Sequence, residues 1–154
     1  MEIDILKNML YATGTTMGFA IVLQSHKRYL WLQGVIGTVG WIIFMWVKQQ
    51  PGHSSFDANF LGAFSVALLG ELMAMVVKQP ATVLVIPGIF PLVPGLGMYL
   101  GMSKLLERSY QAGFNVLITA AGDAAAIALG IMMITSLFRV GKILLKPANW
   151  GKPL

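Results

Sequence analysis

The stretch Gln79–Ser103, QPATVLVIPGIFPLVPGLGMYLGMS, constrains this chain most. It runs 25 residues without a charge, enough to cross a bilayer core of ~30 Å. It also carries Pro80, Pro87, Pro91 and Pro94, with Gly88 and Gly95 each directly after a proline. An interior proline lacks an N–H and clashes with the carbonyl four residues back, so Val83, Pro87 and Phe90 each lose a helical donor. In hydrocarbon those freed carbonyls must be satisfied by protein or by a water-filled cavity. The spacing therefore predicts two half-helices meeting at an irregular turn near Pro87 to Gly95, rather than one proline-kinked packing helix. Secondary transporters build binding sites from such breaks near the bilayer midplane.

Composition agrees. The chain is 56% hydrophobic and only 11% charged, where soluble domains carry about 25% charged residues. The fold class expected is an all-α polytopic membrane helix bundle of about five spans, the fourth broken by Pro and Gly. The transmembrane domain is expected over residues 1–138 and a basic cytoplasmic tail over 139–154. The net charge of +5 is scattered over short loops and the tail, so nucleic acid is not an expected partner. With no cysteine and no His or acid cluster at ligand spacing, neither a disulfide framework nor a metal site is expected. No cofactor is expected either. Met1-Glu2-Ile3-Asp4 lacks the basic start of a cleavable signal peptide, so the first apolar run is read as a span.

The five spans are read at about Ile5–Gln24, Tyr29–Val47, Ala58–Val77, the broken segment after Pro80 ending near Leu106, and Gly113–Phe138. Thr13, Gly14, Thr15, Thr16 and Gly18 fit close helix packing, with a polar pathway lining as the alternative. The third span contains Glu71 and the fifth Asp123. A carboxylate inside a span is costly and normally faces the bundle interior or water. Glu71 shares a helical face with Phe64, Ala67, Ala74, Met75 and Lys78, and Asp123 with Thr119, Ala120, Ala126 and Gly130. A purely structural hydrogen bond across helices remains an alternative for Glu71. The start of the half-helix after Pro94-Gly95 offers unsatisfied N–H groups to an anion such as a carboxylate.

Alternating spans place Lys7, Lys48, Lys104 and Arg108 on one side. Lys27, Arg28, Lys78 and the basic tail (Arg139, Lys142, Lys146, Lys152) fall on the other. The more basic side is expected to be cytoplasmic, with the N-terminus out and the C-terminus in.

Pro80-Ala81-Thr82-Val83, Ile86-Pro87-Gly88-Ile89 and Pro91-Leu92-Val93-Pro94-Gly95 resemble the signature of the threonine/serine exporter (ThrE) superfamily. More closely, the chain resembles its small YjjB-like membrane subunit. Gly70-Glu71-Leu72 and the stretch Ala126 to Ile131 are similar as well. The resemblance implies secondary export of small amino acids or related carboxylates, such as a dicarboxylate, across the cell membrane. It also implies a larger ThrE-domain subunit as partner, in a homo- or hetero-oligomer. The residues themselves nominate Glu71, Pro87, Gly88, Pro91, Pro94, Gly95 and Asp123 for the substrate and ion pathway. Glu71, and after it Asp123, is expected to exchange the coupled proton. An intramembrane enzyme is disfavoured, because Gly122-Asp123 lacks a glycine-spaced protease motif and no catalytic set accompanies it. A non-transporting scaffold or assembly subunit is the alternative function.

Overall fold

A computed structural model describes residues 5–145, with side chains for 6–141. It contains six α-helices: α1 Ile5–Val22, α2 Leu30–Gln49, α3 Ser55–Val77, α4 Ala81–Ile89, α5 Gly95–Leu106 and α6 Tyr110–Leu145. Short 3-10 turns occupy Lys27–Tyr29 and Phe90–Leu92. No strand occurs among the described residues. The all-α membrane bundle read from the sequence is the architecture found. Three of the described helices are long and apolar enough to cross a bilayer, and the bent α4–α5 pair together passes the same test, as a broken span or a re-entrant loop. The sequence reading counts α1 as a fifth. At 18 residues α1 is long enough but not apolar enough, because Lys7, Asn8 and the hydroxyls of Thr13, Thr15 and Thr16 dilute its apolar residues.

Small residues set the helix order. Gly34 and Gly37 of α2 lie against Thr13, Thr16 and Met17 of α1, and the Thr13 and Thr38 hydroxyls bond at 2.6 Å. Gly40 abuts Val66 and the Gly62 carbonyl of α3. With no hydrophobic drive between helices in lipid, such close approach is what holds them together. Thr13 and Thr16 thus serve packing, as expected, while Thr15 is exposed and bonds back to the Tyr11 carbonyl.

Helices α1, α2, α3 and α4 run alternately antiparallel, whereas α6 runs parallel to α3. The pairings Ser55 with Asp123 and Phe60–Phe64 with Gly130 fix that direction. Because α3 starts at Ser55, the first part of α6 extends beyond it. There α6 packs antiparallel on α5, with Gly101 against Leu117 and Gly113 against Leu105. This α5–α6 hairpin exposes Leu96, Tyr99, Leu106, Tyr110 and Ile118, each more than half accessible. At its far end α6 continues unbroken past Phe138 and Arg139 to Leu145. Residues 146–154 of the expected tail lie outside the described residues.

Loop chemistry explains the turns. Ser54 caps α3 through a reciprocal box with Asp57. Lys78 closes α3 in the left-handed region, at φ 53°. Pro80 then stands just before α4, where its missing N–H removes no helical bond.

Candidate functional site

The α4–α5 segment is broken, and the break is shorter than the prolines suggest. Helix α4 runs through Pro87 and Gly88 to Ile89, so the irregular stretch is confined to Phe90–Pro94. The two halves meet at 46°. Each carbonyl expected to lose its donor has found another. The Phe90 N–H donates to the Pro87 carbonyl. The Val93 N–H donates to the Phe90 carbonyl at 3.2 Å. The Val83 carbonyl accepts from Gln33 Nε2 of α2 at 2.8 Å. That third bond explains why Pro87 sits inside a helix without ending it: the single donor it removes is replaced by a side chain. Gln33 is fully buried, and its Nε2 also donates to Ser25 Oγ at 2.6 Å. Sequence reasoning passed over Gln33. Its only signal was an amide inside an otherwise apolar span.

Gln33→Leu should therefore lower stability by about 1–3 kcal/mol by stranding the Val83 carbonyl. Denaturant unfolding in a fixed detergent measures this. An unchanged midpoint would mean that water supplies the bond instead.

Two clefts flank the broken span. The first, of about 460 Å³, opens where α2 ends and α3 begins. Trp41, Phe44 and Lys48 of α2 line it, facing Ser55 and Asn59 of α3. Pro91 to Pro94 with Leu96 and Gly97 form its floor, and Asn115, Thr119 and Asp123 of α6 its far wall. The Ser55 hydroxyl donates to Asp123 Oδ2 at 3.0 Å. Lys48 Nζ stands 5.3 Å from the centre of the Phe44 ring. Lys48 and Asp123 line the same cleft without an ion pair between them, so charges of both signs are held apart. Asn59 is 3% exposed, and its Oδ1 has no hydrogen-bond partner.

The second cleft, of about 440 Å³, lies at the other end of the bundle. Leu23 to His26, Tyr29, Gln79, Thr82, Val83, Ile86 and Pro87 line it. Between the clefts Gly88 is buried against Val66 and Ile36; a Cβ there would come within 2.9 Å of Val66 Cγ1.

The residues nominated from sequence therefore divide. Pro91, Pro94 and Asp123 line the first cleft, and Pro87 lines the second. Gly88 packs between them, and Gly95 is exposed with open space where a side chain would go. Glu71 is buried on α3 at 7% exposure and lines neither cleft. Sixteen helical steps of α3 separate it from Ser55, which is about 24 Å along the helix. Ala67 and Ala74 are buried on its face as expected, whereas Met75 and Lys78 are exposed.

A family profile described as Threonine/Serine exporter, ThrE matches residues 8–137. The chain belongs to this family. Among curated relatives, this exporter-family chain is 32% identical over 119 residues to a threonine/serine exporter of Corynebacterium glutamicum. That match covers 77% of the chain and 24% of the relative. It is 25% identical over 132 residues to pheromone-regulated membrane protein 10 of Eremothecium gossypii, covering 81% of the chain and 17% of that protein. The chain thus spans a quarter or less of the curated relatives it matches. No solved structure matches it. The matched region contains the broken span, both clefts, Glu71 and Asp123.

Proposed function

We propose that this chain is the membrane subunit of a secondary exporter of small amino acids of the threonine/serine type, or of related carboxylates. Its partner is a larger ThrE-domain subunit. The observation that carries this reading is the broken span with a cleft at each end. The floor of the first cleft begins at Pro91, and Pro87 lines the second, only about 6 Å of helix away. A transporter needs two half-pathways that meet at one discontinuous segment, and this fits that arrangement. The thin layer of Gly88, Val66 and Ile36 between the clefts acts as the barrier that opens and closes. The exposed apolar α5–α6 hairpin supports assembly with further membrane helices.

Export of threonine or serine from cells loaded with the corresponding dipeptide tests the reading, with dicarboxylates as a parallel panel. Deletion of this subunit should abolish export, and restoration should return it. The two subunits should migrate as one complex on a blue native gel. Export that ignores the deletion for every substrate would overturn the assignment. Normal turnover per assembled complex after Pro94→Ala would move the chain to a scaffold role.

The orientation proposed from charge also has support in the helix order. The turns holding Lys27, Arg28 and Lys78 share one end of the bundle, and those holding Lys48 and Arg108 face the other way. A periplasmic reporter inserted at Gly52 should be active, and one inserted at Gln79 silent; the reverse pattern would invert the topology.

A further inference from the structure

We propose that Asn59 and Asp123 form a donor-reading site in the first cleft, which accepts hydrogen bonds from the ammonium and hydroxyl of the transported amino acid. This deepens the exporter reading and rests on it.

The argument begins with an oxygen that has no partner. Asn59 Nδ2 donates to the Ser55 carbonyl at 3.0 Å. A carbonyl only accepts, so that bond fixes which end of the amide is nitrogen. Oδ1 is therefore the group left over, buried and unpaired on a residue that lines the cleft. Buried acceptors in native proteins are almost always satisfied, and those that are not call for an explanation. A ligand that enters the cleft and brings a donor supplies one.

The neighbouring carboxylate points to the same class of ligand. Ser55 Oγ engages Asp123 Oδ2, and among the described residues Asp123 takes no other hydrogen bond. The Ser55–Asn59 turn of α3 thus holds two acceptors at one place: the Asn59 oxygen directly, and the Asp123 carboxylate through the serine hydroxyl. Neither group has a hydrogen to give. An ammonium has three N–H donors and a positive charge, and a threonine or serine side chain adds an O–H. A dicarboxylate brings only acceptors and a second negative charge against Asp123. Lys48 and the first turn of α5 at Leu96–Gly97, which line the same cleft, provide the positive side for the ligand's single carboxylate. The cleft therefore selects a zwitterion over a dianion, and Asn59 is its specificity-determining residue.

The test measures binding to the assembled complex in nanodiscs by isothermal titration. The three ligands are L-threonine, its analogue with hydroxyl in place of ammonium, and butanedioate. Threonine should bind about tenfold or more tighter than either of the others. Asn59→Leu should weaken threonine binding by roughly tenfold to a hundredfold while leaving the unfolding midpoint level or raised, because it removes an unpaired polar atom. Asp123→Asn should abolish the preference for threonine over the hydroxy acid. Butanedioate binding as tightly as threonine would overturn the proposal. So would an Asn59→Leu complex that binds threonine normally but melts earlier, the mark of a structural asparagine. Should Asn59→Leu fail to assemble, the ligand series on the unmodified complex decides. An assembled complex that binds none of the three would overturn the exporter reading itself.

Discussion

Gly130→Ala is expected to destabilise the bundle by about 2–3 kcal/mol. Gly122→Ala, two turns earlier on the same helix, should be neutral or stabilising by less than about 1 kcal/mol. Both replace a glycine inside α6, so helix propensity alone favours both changes. The difference lies in what the new methyl meets. At Gly130 a Cβ would stand 2.7 Å from the Phe60 carbonyl oxygen and 3.0 Å from the Phe64 nitrogen. Those are backbone atoms of α3, and they cannot rotate aside. At Gly122 nothing lies within 4 Å. The contact matters beyond stability, because the same α3–α6 approach brings Ser55 to Asp123. Chemical unfolding of the purified protein in one detergent measures both variants. Equal midpoints would mean that α3 and α6 do not pack through Gly130.

How much of this was legible beforehand depends on the range of each interaction. The broken span was legible because proline acts locally: the carbonyls it frees can be counted four residues back, and Val83, Pro87 and Phe90 each turned out to need a substitute donor. Where the break would fall was not. Gln33 lies fifty residues before Val83, and nothing in the spacing of either segment announces that bond. It shifts the irregular stretch from a region starting at Pro87 to Phe90–Pro94. The acids inside the spans were legible from the cost of a charge in hydrocarbon. Their separation was not, because it follows from α6 running parallel to α3. Asn59 drew no notice as a neutral amide one turn into a helix. Only the unpaired oxygen, seen beside Asp123, gives it a role.

The separation of the two acids leads to the second large effect. We propose that Glu71 exchanges the coupled proton from its buried place on α3 and that Asp123 contacts the substrate in the first cleft. Glu71 neighbours Gly70, which lies against Val85 on the half of α4 that borders the second cleft. Asp123 lines the first cleft. About 24 Å of α3 lies between Glu71 and the level of Ser55, too far for one group to do the other's task by contact. Glu71→Gln keeps the shape of the side chain and resembles its protonated form, but cannot release a proton. It should reduce export driven by a proton gradient by about tenfold or more, while threonine affinity changes less than about twofold because the site lies beyond direct contact. Asp123→Asn should do the opposite, weakening binding first. Paired measurements in proteoliposomes, gradient-driven flux and equilibrium binding on the same preparation, separate the roles. If Glu71→Gln kept full gradient-driven export in assembled complexes, the carboxylate would be a packing group and the coupled proton would have to move elsewhere. If both variants lost flux and affinity in equal measure, the two acids would act as a single site, and the division of labour drawn from their distance would be wrong.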